Sequence, residues 1–394
     1  MSPRPGTRLR VLIVLNGLGT GGAERSTAEL LPRLADDGIS VTVACLFRRR
    51  EGVQDEVVRA GHDVRFLRSR SMPGRVHELR ALLDHVRPDL VHTAVFEADV
   101  AGRLAAWRRA PVLSSLVNTS YDPVRRQDPN VRPLRLEAVR RIDGWTARHL
   151  TTHFHAITQA VKESAVRDLG IASERVTVVY RGRDPVRLAK PTCDRRASIR
   201  ETLGLVDDTP LVLAVGRQEW QKGHVDLLAA VGRLASTTPG VVTLIAGRAG
   251  NATPDITRAH EALRSAGIGD QVRLLGHRDD VPDLLAAADC LALPSRYEGM
   301  GGAAIEAMAL GVPVVASDLS AIAEAVEDQA SGLLVPPADP AALARALETV
   351  LTDRERARAM GARGRQRFLE QFTLDQSARG MADLYRQVAD RHLE

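Results

Sequence analysis

The sequence predicts an α/β protein made of two doubly wound domains, each a parallel sheet with helices on both faces. Three observations lead there. Short apolar runs with strand character alternate with helical stretches across residues 10–179, and a second alternation of the same kind starts at residue 211. Between the two, residues 181–210 shift to proline and charge. They carry Asp184-Pro185, Lys190-Pro191, Asp194-Arg195-Arg196 and Asp207-Asp208-Thr209-Pro210, which marks a connector between domains. The length of 394 residues also exceeds what one hydrophobic core ordinarily holds.

In the first half, strands fit 10–15, 40–46, 63–67, 89–93, 111–117, 153–157 and 176–179. Helices fit 23–35, 53–60, 76–86, 97–108, 133–150 and 159–168, and one short helix is expected near Arg200 within the connector. In the second half, strands fit 211–215, 241–246, 272–275, 290–293, 312–316 and 332–335. Helices open there near Gly223, Thr257, Val281, Gly302, Ala321 and Asp339. Two helical stretches, 354–370 and 374–392, then close the sequence without a further strand.

An apolar fraction of 44% suits globular packing, and 54 basic against 49 acidic residues leave a net charge of +5. That mild excess permits an anionic substrate or an acidic membrane surface without demanding nucleic acid. Aromatics at 3% argue against stacking platforms for single strands. Cys45, Cys193 and Cys290 are odd in number and scattered, so no disulfide framework or zinc site is implied and a reducing compartment is expected. The apolar run at 11–15 is too short for a secretory signal, and no run approaches a membrane span. A cytoplasmic protein, with room for peripheral contact at the inner face of the membrane, is expected. Alanine- and arginine-rich composition points to a GC-rich bacterial genome.

The stretch from Ser295 to Ala316 holds the chemistry. An apolar run ends at Pro294, Gly299, Gly301 and Gly302 strip the following turn of Cβ atoms, and a helix runs from about Ala303 to a stop at Gly311 and Pro313. The opening turn of that helix offers unpaired N–H groups and a positive dipole end to an anion. Glu298 lies just before the glycines and Glu306 on the helix behind them, so one carboxylate comes from the loop and one from the helix. Upstream, Val215-Gly-Arg-Gln-Glu-Trp-Gln-Lys-Gly223 ends one strand and opens the next helix. There Arg217 can fork onto a phosphate and Lys222 adds a point charge.

The spacing of Glu298 and Glu306 resembles the E-x7-E motif of the family 4 retaining glycosyltransferases, and the Arg217–Lys222–Gly223 stretch resembles their G-R-x(n)-K-G diphosphate motif. The resemblance implies the GT-B fold: two Rossmann-like domains facing a cleft, here 1–185 and 186–372, with a C-terminal helix, 373–394, crossing back to the first. It implies a nucleotide-sugar donor with UDP favoured, and a glycan, lipid-linked or small-molecule acceptor such as a natural product. Glu306 then takes the ribose hydroxyls and Glu298 the donor sugar. Arg217 and Lys222 neutralise the leaving diphosphate, and the main-chain N–H groups of Met300, Gly301 and Gly302 hold the phosphates. No Asp-x-Asp triplet occurs, so no metal and no other cofactor is expected.

Gly17-x-Gly19-x-x-Gly22 also fits a dinucleotide fingerprint, which leaves an NADP oxidoreductase as an alternative. That reading wants an acid at the end of the second strand, where Arg48, Arg49 and Arg50 stand instead. The same glycines continue as Gly21-Gly22-Ala-Glu24, resembling the family's G-G-x-E turn. Two more alternatives remain on the same fold: a sugar-nucleotide epimerase or phosphorylase, and a binding protein that has lost transfer. Departures from the family pattern fall in the first half. Val117 stands where a histidine is frequent, followed by Asn118; His92 is kept while Ala94 replaces a second histidine; and Tyr180-Arg181-Gly182-Arg183-Asp184 stands for Y-N-G-V-D. Asn118 and His92 are the candidate sugar or acceptor contacts. Arg125, Arg126, Arg132, Arg135, Arg140 and Arg141 form a basic cluster around a helix expected in the first domain.

Overall fold

The computed structural model describes residues 8–19, 21–49, 52–188, 191–206 and 208–390. Arg50, Lys190 and Asp207, singled out above, and the expected end of the last helix at 391–392 lie outside them. The chain divides into two compact units. One comprises residues 1–122, 132–182 and 373–394, the other 123–131 and 183–372.

The first unit begins β1 (Leu9–Leu15), α1 (Gly22–Asp36), β2 (Ile39–Cys45), α2 (Gln54–Arg59), β3 (Asp63–Phe66), α3 (Met72–Val86) and β4 (Leu90–Ala94). It continues α4 (Phe96–Ala106), β5 (Val112–Leu116), α5 (Pro133–Leu150), β6 (His153–Ala156), α6 (Gln159–Leu169) and β7 (Val176–Val178). All seven strands are parallel, in the order β3-β2-β1-β4-β5-β6-β7. Helix boundaries follow local chemistry. Ser71 caps α3 by accepting from Gly74 N, and Thr158 caps α6 by accepting from Val161 N before Gly170 ends it in a left-handed conformation.

The second unit holds α7 (Cys193–Thr202), β8 (Leu211–Val215), α8 (His224–Thr237), β9 (Val242–Ala246), α9 (Thr253–Ser265), β10 (Val272–Gly276) and α10 (Val281–Ala287). It ends with β11 (Cys290–Leu293), α11 (Gly302–Leu310), β12 (Val314–Ser317), α12 (Ser320–Ala323), β13 (Gly332–Val335), α13 (Pro340–Thr352) and α14 (Arg354–Gln371). Its strands, again all parallel, run β10-β9-β8-β11-β12-β13. Much of the stretch read as a connector is built into this unit. Arg200 of α7 is buried and donates to Ala287 O (2.7 Å), and Arg196 donates to Ala286 O and Ala288 O. Two arginines thereby satisfy the open carbonyls at the end of α10.

The final helix, α15 (Leu374–Asp390), belongs to the first unit. Side chains of β1 alternate across the sheet. Val11, Ile13 and Leu15 pack with Leu31 and Leu34 of α1 and with Met381, Leu384, Tyr385 and Val388 of α15. Leu12 and Val14 pack with Leu79 and Leu83 of α3 and Ala98 and Ala101 of α4. Arg33 Nε donates to Asp375 Oδ1 at 2.7 Å, fixing the start of α15 beside α1.

A buried polar chain runs through the first sheet. His155 Nε2 lies 2.9 Å from Val179 O, which can only accept, so His155 carries its proton there and accepts at Nδ1 from the Ser115 hydroxyl (2.7 Å). Ser115 Oγ then accepts from His92 Nε2, and His92 Nδ1 accepts from the Tyr385 hydroxyl, both at 2.7 Å. Every member is satisfied with both imidazoles neutral. His153 and His155 are thus buried histidines of β6. Burial pushes His92 down to about 3, helped by His155, and His155 down to about 4. A second network joins Arg103, Asp143, Tyr121, Thr93 and Asp99. Arg103 donates to Asp143 Oδ1 (2.6 Å), and burial pushes Asp99 up to about 6 against the pull of Arg103.

The histidines give a signed pH dependence. Their folded values lie below the ordinary 6.5, so between about 4 and 6.5 the unfolded chain binds more protons. Their contribution is whole above 6.5 and is lost as pH falls. The raised Asp99 acts in the opposite sense. Melting temperature measured from pH 7.5 to 5 should therefore fall less steeply in His92→Asn than in the unmodified protein; equal slopes would contradict the neutral network.

Candidate active site

In an open parallel sheet, ligands settle beyond the carboxyl ends of the strands where the strand order reverses. In the second unit that point lies between β8 and β11. The loop after β8 carries Arg217 and the short 3-10 turn Trp220–Lys222, and the loop after β11 carries Ser295–Gly301. Both sequence motifs therefore meet at one switch point.

Gly223 makes that meeting possible. It holds φ +64° between the 3-10 turn and α8, and a Cβ there would stand 1.9 Å from Pro294 O. The loops are then stitched together. Gln221 Nε2 donates to Tyr297 O (2.9 Å), and Arg296 N donates to Gln221 O (2.8 Å). Arg296 forks onto Asp226 of α8 and lies 4.3 Å from the centre of the Trp220 ring.

Glu298 is buried at the centre. Its Oε1 takes an ion pair from Lys222 Nζ and a hydrogen bond from Ser295 Oγ at 2.8 Å. Gly301, at φ +77°, turns the chain into α11, whose first residue, Gly302, is exposed. Met300 is buried by its side chain. Most of α11 is buried, but Glu306 is only partly covered, and its Oε1 accepts from Arg183 Nε at 2.8 Å. Arg217 is largely exposed and pairs with Glu219. Lys222 and Glu298 are thus in direct contact, with Glu306 on the adjoining helix and Arg217 on the same loop as Lys222.

The candidates in the first unit lie around its own switch point, between β1 and β4. Gly21 caps α1 and Gly22 opens it, with the Glu24 carboxylate folded back over Gly21. Asn118 follows β5, its Oδ1 accepting from Thr119 N at 2.9 Å. His92, by contrast, sits inside β4 with both ring nitrogens engaged by Tyr385 and Ser115. Val95, just past β4, holds φ +77°, an unusual conformation for a β-branched residue at a strand end.

The structure adds residues that the motifs did not single out. Ser295 supports Glu298, and Arg183 supports Glu306. The basic cluster divides: the 3-10 turn Pro123–Gln127, with Arg125 and Arg126, belongs to the second unit, and Arg125 lies 5.6 Å from the centre of the Tyr297 ring. A sequence neighbour of the first domain's strands gave no local signal of that. Arg140 and Arg141 both pair with Glu137 on α5. Among the described residues, no group of three or more His, Cys, Asp or Glu is gathered to hold a metal ion.

Two family models match the sequence. The model for group 1 glycosyl transferases matches residues 195–367, and that for glycosyltransferase family 4 matches residues 20–187. A glycogen synthase of Mycobacterium tuberculosis is 30% identical over 304 residues, 76% of this chain and 69% of that protein. The chain belongs to the group 1 glycosyltransferases of family 4. An alpha-D-kanosaminyltransferase of Streptomyces kanamyceticus is 30% identical over 250 residues, 62% of this chain and 63% of that enzyme. The matched stretch thus spans less than two thirds of that relative. The GT-B fold is shared with the Anabaena protein HepE, solved in complex with UDP and glucose. The two superpose with a TM-score of 0.81 at 22% identity, over 95% of this chain and 99% of that one.

Replacing Gly223 by Ala forces a Cβ against Pro294 O in a left-handed backbone. We expect a loss above about 1 kcal/mol in urea unfolding, and loss of any nucleotide-induced rise in melting temperature. An unchanged nucleotide response would mean that the two loops need not meet.

Proposed function

We propose that this protein is a retaining, metal-independent glycosyltransferase. It moves a sugar from a UDP-sugar to a hydroxyl or other nucleophile of a glycan, lipid-linked or natural-product acceptor. The observation that carries this reading is the Lys222–Glu298 contact at the second unit's switch point, beside the open start of α11 and Glu306. Kinship with a glycogen synthase and a kanosaminyltransferase supports sugar transfer to a glycan or a natural product. The UDP in the HepE complex supports the donor nucleotide.

The chemistry follows from charge. As the glycosidic bond breaks, negative charge grows on the departing diphosphate. Lys222, Arg217 and the N–H groups opening α11 are fixed donors that meet it at no reorganisation cost. Positive charge grows at the anomeric carbon, and Glu298 is the buried carboxylate available to stabilise it. Glu298 Oε1 is occupied by Lys222 and Ser295, which leaves Oε2 for sugar hydroxyls. Lys222 thus serves both charges, and its ion pair with Glu298 keeps it aimed. With these fixed cations the reaction needs no metal.

We place the protein in the cytoplasm, with peripheral contact at an acidic membrane surface. Support comes from α5, which exposes Leu134, Ile142 and Trp145 at helical spacing with the exposed Arg135 and Arg141. Among the described residues, no helix is long and apolar enough to cross a membrane.

Two variants separate the roles. Lys222→Ala should weaken UDP binding and lower kcat/KM by about a hundredfold or more. Glu298→Gln should bind UDP at least as tightly, since a negative charge leaves the anion site, yet transfer should fall by a similar factor. Isothermal titration and donor-turnover assays check this, with EDTA leaving the rate unchanged. Near-normal turnover in either variant would refute these roles.

A further inference from the structure

Arg183 stands in the Tyr180–Asp184 stretch, where the family pattern quoted above has an uncharged valine. Its backbone is fixed, with Arg183 N donating to Phe372 O at 2.9 Å. Its side chain is 8% exposed and its Nε donates to Glu306 Oε1 at 2.8 Å. The guanidinium also reaches the start of α11, where a Cβ on Gly302 would lie 3.3 Å from Nη2. Gly302 and Glu306 are one turn apart and share a face of that helix, so Arg183 spans the face from the carboxylate to the helix opening. Gly302 is exposed, which leaves the opening accessible to a ligand. Burying a guanidinium is costly even when paired, and here the pairing fixes that charge beside N–H groups that already favour an anion.

We infer that Arg183 is a further phosphate-facing residue of the donor site, a third cation beside Arg217 and Lys222, held in place by Glu306. This rests on the reading of the donor site given above. Its role differs from that of Arg217, which is largely exposed and approaches from the loop after β8. Arg183 comes from the 180–184 stretch and is held by the Glu306 carboxylate.

Titrations of the full-length protein with UDP and with uridine test it. Arg183→Ala should raise the Kd for UDP by at least about tenfold while changing that for uridine by less than roughly threefold. Arg183→Lys should recover most of the UDP affinity, because a charge is restored without the fork. Circular dichroism and melting temperature establish that each variant is folded, and the uncharged Arg183→Gln, with the same expected loss, carries the test if Arg183→Ala is not. An unchanged UDP affinity would overturn the inference. So would an equal loss for UDP and uridine, which would make Arg183 only a support for the ribose carboxylate. If the unmodified protein binds none of UDP, GDP and ADP, the functional reading itself fails, and this inference with it.

Discussion

The site depends on one close approach, the backbone of Gly223 against the carbonyl of Pro294. It brings the loop after β8, with Arg217 and Lys222, against the loop after β11, with Glu298, and Glu306 follows on α11. Gln221, Arg296 and Asp226 then lock the two loops without using Lys222 or Glu298. The lysine and the glutamate are thereby left to bind each other. A buried pair of this kind adds little net stability, because desolvation consumes most of the attraction. Its value lies in orientation, since each partner holds the other's charged end in one place.

Both glutamates are anchored in the same way. Glu298 uses Oε1 for Lys222 and Ser295, and Glu306 uses Oε1 for Arg183. One oxygen of each carboxylate therefore fixes the side chain. Side chains held in this way have little rotamer entropy left to lose.

Much of this was legible in the sequence. Strand and helix alternation reported two sheets, because strands buried on both faces leave short apolar runs between helices. The glycine-rich turn before α11 was legible too, because Gly301 holds a left-handed conformation that favours glycine. What the sequence hid is what depends on contacts between distant segments. Arg183 looked like part of a connector, and only the fold places it under α11. Arg125 sits between β5 and α5 of the first unit, yet its short turn packs with the second. His92 looked available for a sugar, and the fold engages both its nitrogens, one with Ser115 and one with Tyr385, 293 residues away.

The placement of α15 bears on how the chain is made. Domains of a nascent protein ordinarily fold in the order in which they leave the ribosome. Here the second unit is fully synthesised at Phe372, whereas the sheet that begins the chain still lacks Met381, Leu384, Tyr385 and Val388 from one of its faces. The first unit to be translated is thus the last to be completed, with an apolar sheet face uncovered during the interval. A stop codon just ahead of Leu374 would spare the motifs around Glu298 and Lys222 and disable the opposite end of the polypeptide.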